Sequence, residues 1–326
     1  MTDHRDLDGG RDGRLRRWTG ALTGRRIGVA AAIVVGLMLL YYPLGMAWMH
    51  TIDDDPAFFA DASVTEGKSR AVGLAAALVR REVEIHPWTA NDPFFLPTSA
   101  LDNMPNFQQG IVAALSRFAV EMIDQLGRTR GTSQADPDLE RAAGLLKYPG
   151  TVWVFDFSVS WTPTATSEKQ YRSARLALLD YNRRLAAGQA VFERRADNLL
   201  ATLERVTADL GSSSASLDRH IQENAGALID VRADDIFYGV KGRLYAYALL
   251  LRELGADYGQ VIAERDAQAV WAQMLDSMTA AAALQPWVVV NGSPDGQALP
   301  SHLAAQGFFL LRARAQLREI TNILLK

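Results

Sequence analysis

The sequence contains no cysteine and only 5 histidines among its 326 residues. The absence of cysteine excludes disulfide bonds, a cysteine nucleophile and thiolate metal sites. The histidines are dispersed, and no two of them have the i,i+4 spacing of a helical zinc site. We therefore predict no metal site.

Motifs for catalysis and for nucleotide binding are also missing. The chain has no GxxxxGK[ST] or GxGxxG segment for phosphates and no GxSxG nucleophile elbow. The nearest SxxK segment, at residues 166–169, has threonine in place of the nucleophilic serine. The net charge is −3, and no basic surplus is present beyond the N-terminal tail, which argues against nucleic-acid binding. We predict neither a cofactor nor a nucleic-acid partner, and the chain favours a non-enzymatic function.

Residues 27–49 form an apolar run without a single charged side chain. A helix of about 20 residues crosses a hydrocarbon core of about 30 Å, so this run predicts a transmembrane signal anchor with the lipid bilayer as its partner. Two alternatives compete with it. A cleaved signal peptide has a shorter apolar core of about 7–15 residues and a small-residue cleavage site. A buried helix of a soluble domain is seldom uncharged for this long.

The charges that flank the apolar run predict its orientation. Residues 1–26 are rich in arginine, whereas residues 53–55 are all aspartate. Arginine close to a span stays on the cytoplasmic side. We therefore predict a cytoplasmic tail over residues 1–26, a connector over 50–62 and a periplasmic domain over 63–326, held at the inner membrane of a bacterium.

Apolar residues three and four positions apart predict a mainly α-helical periplasmic domain with long antiparallel helices. The predicted helices cover residues 63–84, 106–127, 138–147, 167–230, 236–267, 268–284 and 301–326. Residues 211–215, GSSSA, predict a hinge or a turn between two helices of the helical region at 167–230. Asp234 or Asp235 is expected to cap the fifth, and Ser301 the last.

Residues 151–161, TVWVFDFSVSW, alternate aromatic with smaller side chains, a pattern typical of a β-strand. Because a lone strand is unstable, this segment either pairs with residues 287–290 or lies across helices as an extended arm. The fold therefore contains at most a minor β element.

Residues 86–106 are rich in proline and in aromatic side chains, which predicts an ordered loop packed on the domain. Its aromatic and polar side chains suggest a binding surface. The alternative is that the aromatic residues fill the core and the polar ones stabilise turns. The candidate binding residues are Trp88, Asn91, Asp92, Phe94, Phe95, Asp102 and Asn103. The C-terminal block at residues 291–310 is a second place for such a surface.

Paired carboxylates are the strongest catalytic signal, since glycan hydrolysis uses two of them across a sugar. Asp92 and Asp102 form one candidate pair, and Asp234 and Asp235 form another. The structural alternative for Asp234 and Asp235 is helix capping.

Several blocks along the chain together resemble a bacterial family of single-span envelope proteins that is known only as a domain of unknown function. They are LDNMPNFQQG at 101–110, DPDL at 136–139, SEKQYRSARLALLDYN at 167–182, ERRADNL at 193–199, DDIFYGVKGRLYAYALLLREL at 234–254 and NGSPDGQALPSHLAAQGFFLLRARAQLREI at 291–320. The resemblance implies a Gram-negative inner-membrane protein with a helical periplasmic part. It implies no activity and no site residues.

Three functions remain open on the sequence. The first is a scaffold or interaction protein of the cell envelope, with an envelope protein or a second copy of the chain as partner. The second is an envelope enzyme that acts on glycan or on another periplasmic substrate through clustered carboxylates. The third is a ligand-sensing ectodomain.

Overall fold

The computed structural model describes residues 24–62, 68–130, 135–155, 161–224, 230, 232–292 and 299–326. These residues contain ten α-helices, a π-helical turn at Arg81–Ile85 and a 3₁₀ turn at Pro97–Ala100. The helices are α1 Gly24–Met49, α2 Arg70–Arg80, α3 Asn103–Arg130, α4 Pro137–Leu146, α5 Ser167–Ala186, α6 Ala196–Asn224, α7 Ala233–Asp257, α8 Gly259–Glu264, α9 Gln268–Ala282 and α10 His302–Leu324. The mainly α-helical fold is confirmed.

Helix α1, up to Trp48, belongs to one compact unit, and the helical body, which begins at Met49, forms another. Its segment Arg26–Met49 is 24 residues long, and none of it is buried inside the protein. Within the part of the chain that the structure describes, no other helix is long and apolar enough to cross a membrane. Helix α1 therefore has the length and composition of a signal anchor or of a single membrane span.

The core of the body is built around α7, which is apolar on almost every side. The seam Phe237, Leu244 and Leu251 is fully buried, and so are the residues between its members, such as Ala246 and Leu250. A helix that is apolar all round belongs in the interior. Accordingly α7 packs on α2, α3, α6, α9 and α10. Helices α2, α4 and α5 pack together on one part of the body, and α6, α9 and α10 on another.

The most extensive helix pair, α3 with α7, depends on glycines at its crossing. A Cβ atom on Gly242 would lie 2.0 Å from the carbonyl oxygen of Phe107, and one on Gly110 would lie 2.2 Å from that of Gly239. No real Cβ contact is that short. The two backbones therefore touch directly, and the missing side chains determine how closely the helices approach.

Residues 50–62, predicted as a connector, are bound tightly to the body. The carboxylate of Asp54 lies 2.6 Å from the ammonium of Lys241 and accepts a hydrogen bond from Gln285 at 2.8 Å. Asp53 lies 3.4 Å from the guanidinium of Arg81. Lys241 is 0% exposed and Arg81 is 2% exposed, so the connector brings carboxylates to two buried cations, of which Arg81 is also paired with Glu82 at 2.8 Å. We call the contacts of Asp53 and Asp54 with Arg81, Lys241 and Gln285 the connector clamp.

Hydrogen bonds hold Asp54 in its charged form within this clamp. Burial opposes ionisation, but the hydrogen bonds from Gln285 and Lys241 outweigh it and keep the pKa of Asp54 below its ordinary value. Further along, Tyr245 donates to the carbonyl of Asp55 at 2.7 Å, and Arg252 donates to that of Pro56 at 2.7 Å. The connector thus contributes part of the body's interior and is not a free linker.

The strand predicted over residues 151–161 is not found in its described part, residues 151–155 and 161; residues 156–160 lie outside the described residues. Residues 151–155 form an extended arm whose carbonyls bond to the start of α5: Thr164 N–H donates to Val154 at 2.8 Å and Ser167 N–H to Val152 at 3.1 Å. Residues 287–290 do not pair with this arm, and the isolated bridge of the described chain joins Asn291 to Ser301.

The hinge predicted at residues 211–215 is wrong, because α6 runs through them without a break. Ser212 and Ser213 donate their hydroxyl hydrogen bonds to the carbonyls of Ala208 and Asp209, both at 3.4 Å, which accommodates serine inside a helix. The predicted helix over residues 167–230 breaks earlier instead, after Ala186, where Gly188 adopts a φ of 71°. Left-handed backbone of this kind ends helices.

The cap predicted for α7 is wrong, whereas the cap predicted for α10 is confirmed. Helix α7 begins at Ala233 after Arg232, which gives no side-chain cap, so the predicted capping by Asp234 or Asp235 is wrong; both lie in the first turn. The helix also ends at Asp257, and α8 follows it. The cap predicted at Ser301 is confirmed, since its hydroxyl accepts a hydrogen bond from the N–H of Ala304 at 3.3 Å.

Candidate functional site

The loop at residues 86–106 is held by side chains that bond across to the arm at residues 150–155. The indole N–H of Trp88 donates to the carbonyl of Gly150 at 2.8 Å, and the side-chain amide of Asn91 donates to the carbonyl of Val152 at 2.8 Å. The same amide donates to the carboxylate of Glu168 at 2.9 Å. Trp88 and Asn91 are buried. Trp88 and Asn91, two of the predicted binding residues, are thus part of the hydrogen-bonded framework that holds the loop in place.

Asp92 belongs to the same framework through the 3₁₀ turn. Its carboxylate accepts a hydrogen bond from the hydroxyl of Thr98. Burial raises the pKa of Asp92, against the hydrogen bond from Thr98 that lowers it, and the nearby charge of Glu168 raises it further. Asp92 therefore stabilises a turn and faces a second carboxylate of the framework.

Phe94 and Phe95 point outward from this framework. Phe94 is 82% exposed and Phe95 is 49% exposed. The ring of Phe95 packs edge-on against Trp153 of the arm, with centroids 5.7 Å apart, and Trp153 packs against Phe155 at 5.8 Å. Phe94 and Phe95 are 5.6 Å apart. These four rings, Phe94, Phe95, Trp153 and Phe155, form what we call the aromatic ledge.

Half of the aromatic ledge was missed by the sequence reasoning. Trp153 and Phe155 stood out as alternating aromatic residues, but that alternation was assigned to a strand. Residues 151–155 form an arm and not a strand of a sheet, and the ring of Trp153 packs against Phe95 of the loop. Phe155 is 44% exposed, and Trp161, further along the same segment, is 85% exposed.

Asp102, Asp234 and Asp235, from distant parts of the sequence, come together at the amino-terminal ends of α3 and α7. One oxygen of each carboxylate lies within 4.8 Å of the others. Burial raises the pKa of Asp234 and of Asp235, and the charge of Asp102 raises both further. Asn106 donates to Asp235 at 2.6 Å. Asn103, the first residue of α3, lies beside this group, with its side-chain carbonyl oxygen buried and without a hydrogen bond.

These three carboxylates have a structural explanation. Asp102 accepts a hydrogen bond from the N–H of Asn103 at 2.8 Å, and Asp234 accepts one from the N–H of Asp235 at 3.1 Å. The positive ends of two helix dipoles favour negative charge at such positions. Asp92, the fourth candidate carboxylate, bonds instead to Thr98 in the loop framework.

A buried histidine–aspartate contact was not predicted. His220 lies 2.7 Å from Asp230 through its Nε2 atom, and the side chain of Asn224 lies 3.3 Å from its Nδ1 atom. Both ring nitrogens therefore have partners, and neither partner is a nucleophile. Asn291 also donates to Asp230, at 3.2 Å, which ties the C-terminal block to α6. Among the described residues, this arrangement joins elements, and no nucleophilic side chain contacts the histidine ring.

The described residues define a class of protein: a mainly α-helical body that follows one apolar helix and exposes an aromatic surface. Over residues 29–230 and 228–326 the chain matches a family described as an uncharacterized protein conserved in bacteria, DUF2333. The chain belongs to this bacterial family, which confirms the resemblance noted from the sequence blocks. No curated protein and no solved structure matches it.

Proposed function

We propose that this protein is a membrane-anchored interaction protein of the bacterial cell envelope, and that the aromatic ledge binds a protein partner. In this proposal α1 stays in the inner membrane with residues 1–26 in the cytoplasm, and the body lies in the periplasm. The apolar helix and the arginine-rich tail support the anchoring and the orientation.

The observation that carries the proposal is the exposure of aromatic rings on a rigid support. Clusters of exposed aromatic side chains on a fixed framework are typical of the centres of protein interfaces. Here the support consists of buried bonds such as Trp88 to Gly150 and Asn91 to Val152. A partner would therefore meet rings that are already ordered, so little side-chain entropy is lost on binding.

The charges around the ledge favour a protein over the bilayer surface as its target. Asp92 lies two residues before Phe94, and Glu168 accepts a hydrogen bond from Asn91 in the same framework. Anionic lipid headgroups repel carboxylates and attract basic side chains. The surroundings of the ledge are thus poorly suited to a lipid surface and well suited to a partner with apolar pockets and basic edges.

The enzyme hypothesis has less support. Three of its four carboxylates do gather, yet the helix amino ends that they flank account for their position. The ligand-sensing hypothesis assigns a different function to the same exposed surface. It differs in that the surface would bind a ligand and not a protein partner.

The test is in-cell photocrosslinking of the full-length protein with a benzophenone amino acid at position 94. The matched control carries the same group at position 308, since Phe308 on α10 is also aromatic and is 61% exposed. We expect a protein adduct from position 94 that is absent from position 308. The variant Phe94→Ala/Phe95→Ala should reduce co-purification of that partner by about tenfold or more, as interface aromatic residues do.

Adducts with lipid alone would indicate that the ledge contacts the bilayer. The absence of any adduct would contradict the proposal. Trp88 is unsuitable as the test position, because it is 3% exposed and its substitution would disturb the framework itself.

The absence of cysteine makes the orientation testable without removing any native thiol. Single-cysteine variants Thr2→Cys and Glu140→Cys place one thiol in the tail and one on the exposed surface of α4. After the outer membrane is opened, a membrane-impermeant maleimide should label position 140 in intact spheroplasts, and position 2 only after lysis. The reverse pattern would contradict the proposed orientation.

A further inference from the structure

Two clefts adjoin along the outer side of α3. The first has a volume of about 520 Å³ and is bounded by α3, the end of α4, α5, α6 and α7. The second, of about 560 Å³, is bounded by α3, α6 and α7. Both are lined by Gln109, Ala113, Ser212 and Arg243. We call the two together the α3 groove; each part has the size of a typical ligand site, about 300–1,000 Å³.

The first part of the α3 groove has an excess of positive charge. Its lining contains Arg117, Lys147 and Arg243 but a single carboxylate, Asp209. Asp209 lies between two guanidiniums, 3.6 Å from the Nε of Arg117 and 3.5 Å from that of Arg243, and it also accepts a hydrogen bond from Tyr247 at 2.9 Å. The lining therefore carries three cations and one carboxylate, in a chain whose net charge is −3.

The cations remain available to a ligand. The side chain of Arg117 is 60% exposed. Lys147 is exposed at the end of α4, and no carboxylate of the described residues pairs with it. The side chain of Arg243 is 27% exposed, and its Nη1 donates to Ser213 at 3.1 Å. A carboxylate that entered this part of the groove would meet the exposed charges of Arg117 and Lys147 beside the partly exposed guanidinium of Arg243.

The second part of the groove is neutral in charge, because Asp235 balances Arg243, and its lining mixes polar with apolar side chains. The polar residues are Asn106, Gln109, Ser212, Ser213 and Ser216, beside the apolar Ile236 and Val240. Amides and hydroxyls can both donate to and accept from a peptide backbone. This chemistry suits a chain that runs along the groove better than it suits a small anion.

The α3 groove begins at the support of the aromatic ledge. Gly150 lines the first cleft, and its carbonyl is the acceptor of the Trp88 indole. A Cβ atom on Gly150 would lie 3.0 Å from the ring of Trp88 and 3.3 Å from Gln109, which lines both clefts. One partner can therefore cover the ledge and reach into the groove.

We propose that the α3 groove binds an extended acidic peptide segment of the partner, with carboxylates bound by Arg117, Lys147 and Arg243. This inference rests on the proposed function, since it names the chemistry of the same partner. The ledge then supplies apolar contact, and the groove selects partners with a segment rich in Asp or Glu.

The test uses full-length protein in nanodiscs of neutral lipid, with fluorescein-labelled octapeptides of alternating glycine and glutamate, glutamine or lysine. We expect the anisotropy of the glutamate peptide alone to rise on titration, with an affinity that falls as salt is added. Arg117→Gln/Lys147→Gln should weaken binding about tenfold, the loss expected for two solvent-screened ion pairs. The matched control, Arg141→Gln/Arg318→Gln, removes two exposed arginines that line neither cleft and should leave the affinity unchanged.

Equal binding of the glutamine peptide, or equal loss in both double variants, would overturn the acidic-segment proposal. Full competition by millimolar inorganic phosphate would overturn it in favour of a small-anion site. The photocrosslink from position 94 separates this proposal from the previous one. If Arg117→Gln/Lys147→Gln leaves the crosslinked partner and its affinity unchanged, the groove assignment fails while the ledge assignment stands.

Discussion

At the scale of single residues, the connector clamp pairs two buried cations, Arg81 and Lys241, with aspartates that are partly exposed. A buried charge is costly unless it is paired and hydrogen-bonded. Lys241 is paired with Asp54 and also donates to the carbonyl of Leu284 at 2.6 Å. The position of this lysine in the middle of α7, the helix at the centre of the core, is explained by the aspartate that the connector brings to it.

The variant Asp54→Asn should lower the free energy of unfolding by about 3 kcal/mol, because it leaves Lys241 buried without a counter-charge. Adding Lys241→Met should restore more than half of that loss, since the charge itself is then removed. Chemical unfolding of the full-length protein in detergent, followed by near-UV circular dichroism, measures both effects. The matched control is Asp55→Asn, whose carboxylate is exposed and bonds within the connector; it should change stability by less than about 0.5 kcal/mol.

The same pair has a defined pH dependence. The pKa of Asp54 is lower in the folded chain than its ordinary value of 3.8, so its stabilisation is present above that value and is lost as the pH falls through the folded-state pKa. The stability difference between the wild type and Asp54→Asn should therefore disappear in acid. A difference that persisted unchanged at the acid end would show that Asp54 acts through shape and not through charge.

At the scale of elements, the body depends on the direct backbone contact of α3 with α7. Gly242→Ala should destabilise the fold by about 2 kcal/mol or more, because the new methyl group would overlap the carbonyl of Phe107 and force the helices apart. The matched control is Gly144→Ala on α4, where nothing lies within 4 Å of the added atom. That change should stabilise the protein by about 0.5–1 kcal/mol. Thermal unfolding of the two variants side by side tests the contrast, and a similar melting temperature for both would refute it.

Individual helices and segments show which parts of the fold could be predicted from the sequence and which could not. Helices α3, α7 and α10 were predicted because their apolar residues recur three and four apart, a signal that each helix carries within itself. The hinge at 211–215 was predicted from the intrinsic preference of glycine and serine, but packing and back-bonded hydroxyls overrode it. The arm at 151–155 carries a strand pattern, yet a strand also needs a partner, and its own segment does not encode one.

The candidate site, too, could be predicted from the sequence only where its residues stand out within one segment. Phe94 and Phe95 could be identified from the loop, because aromatic residues among prolines stand out locally. Their contact with Trp153 could not, since it joins two segments that only the folded chain brings together. The grouping of Asp102 with Asp234 and Asp235, and the α3 groove between five helices, are likewise products of tertiary structure.

At the scale of the whole molecule, the chain combines one apolar helix, a clamped connector and a helical body with an aromatic ledge. These features support a protein that holds a partner at a membrane. The crosslinking and labelling experiments test that arrangement as a whole, whereas the substitutions at Asp54 and Gly242 test only what keeps the body folded.

The connector clamp also determines when the body can finish folding. Asp54 is among the first residues of the body to be synthesised, yet Lys241 follows it 187 positions later and Gln285 follows 231 positions later. Contacts so distant in sequence close slowly, and they cannot form while the second half of the chain is still being made. During synthesis the connector therefore has no partners for Asp54 until most of the body has been made. A chain that ends before Lys241 lacks the cation that pairs with Asp54. Incomplete copies should consequently be recognised by proteases as unfolded, because the clamp closes only on a nearly complete chain.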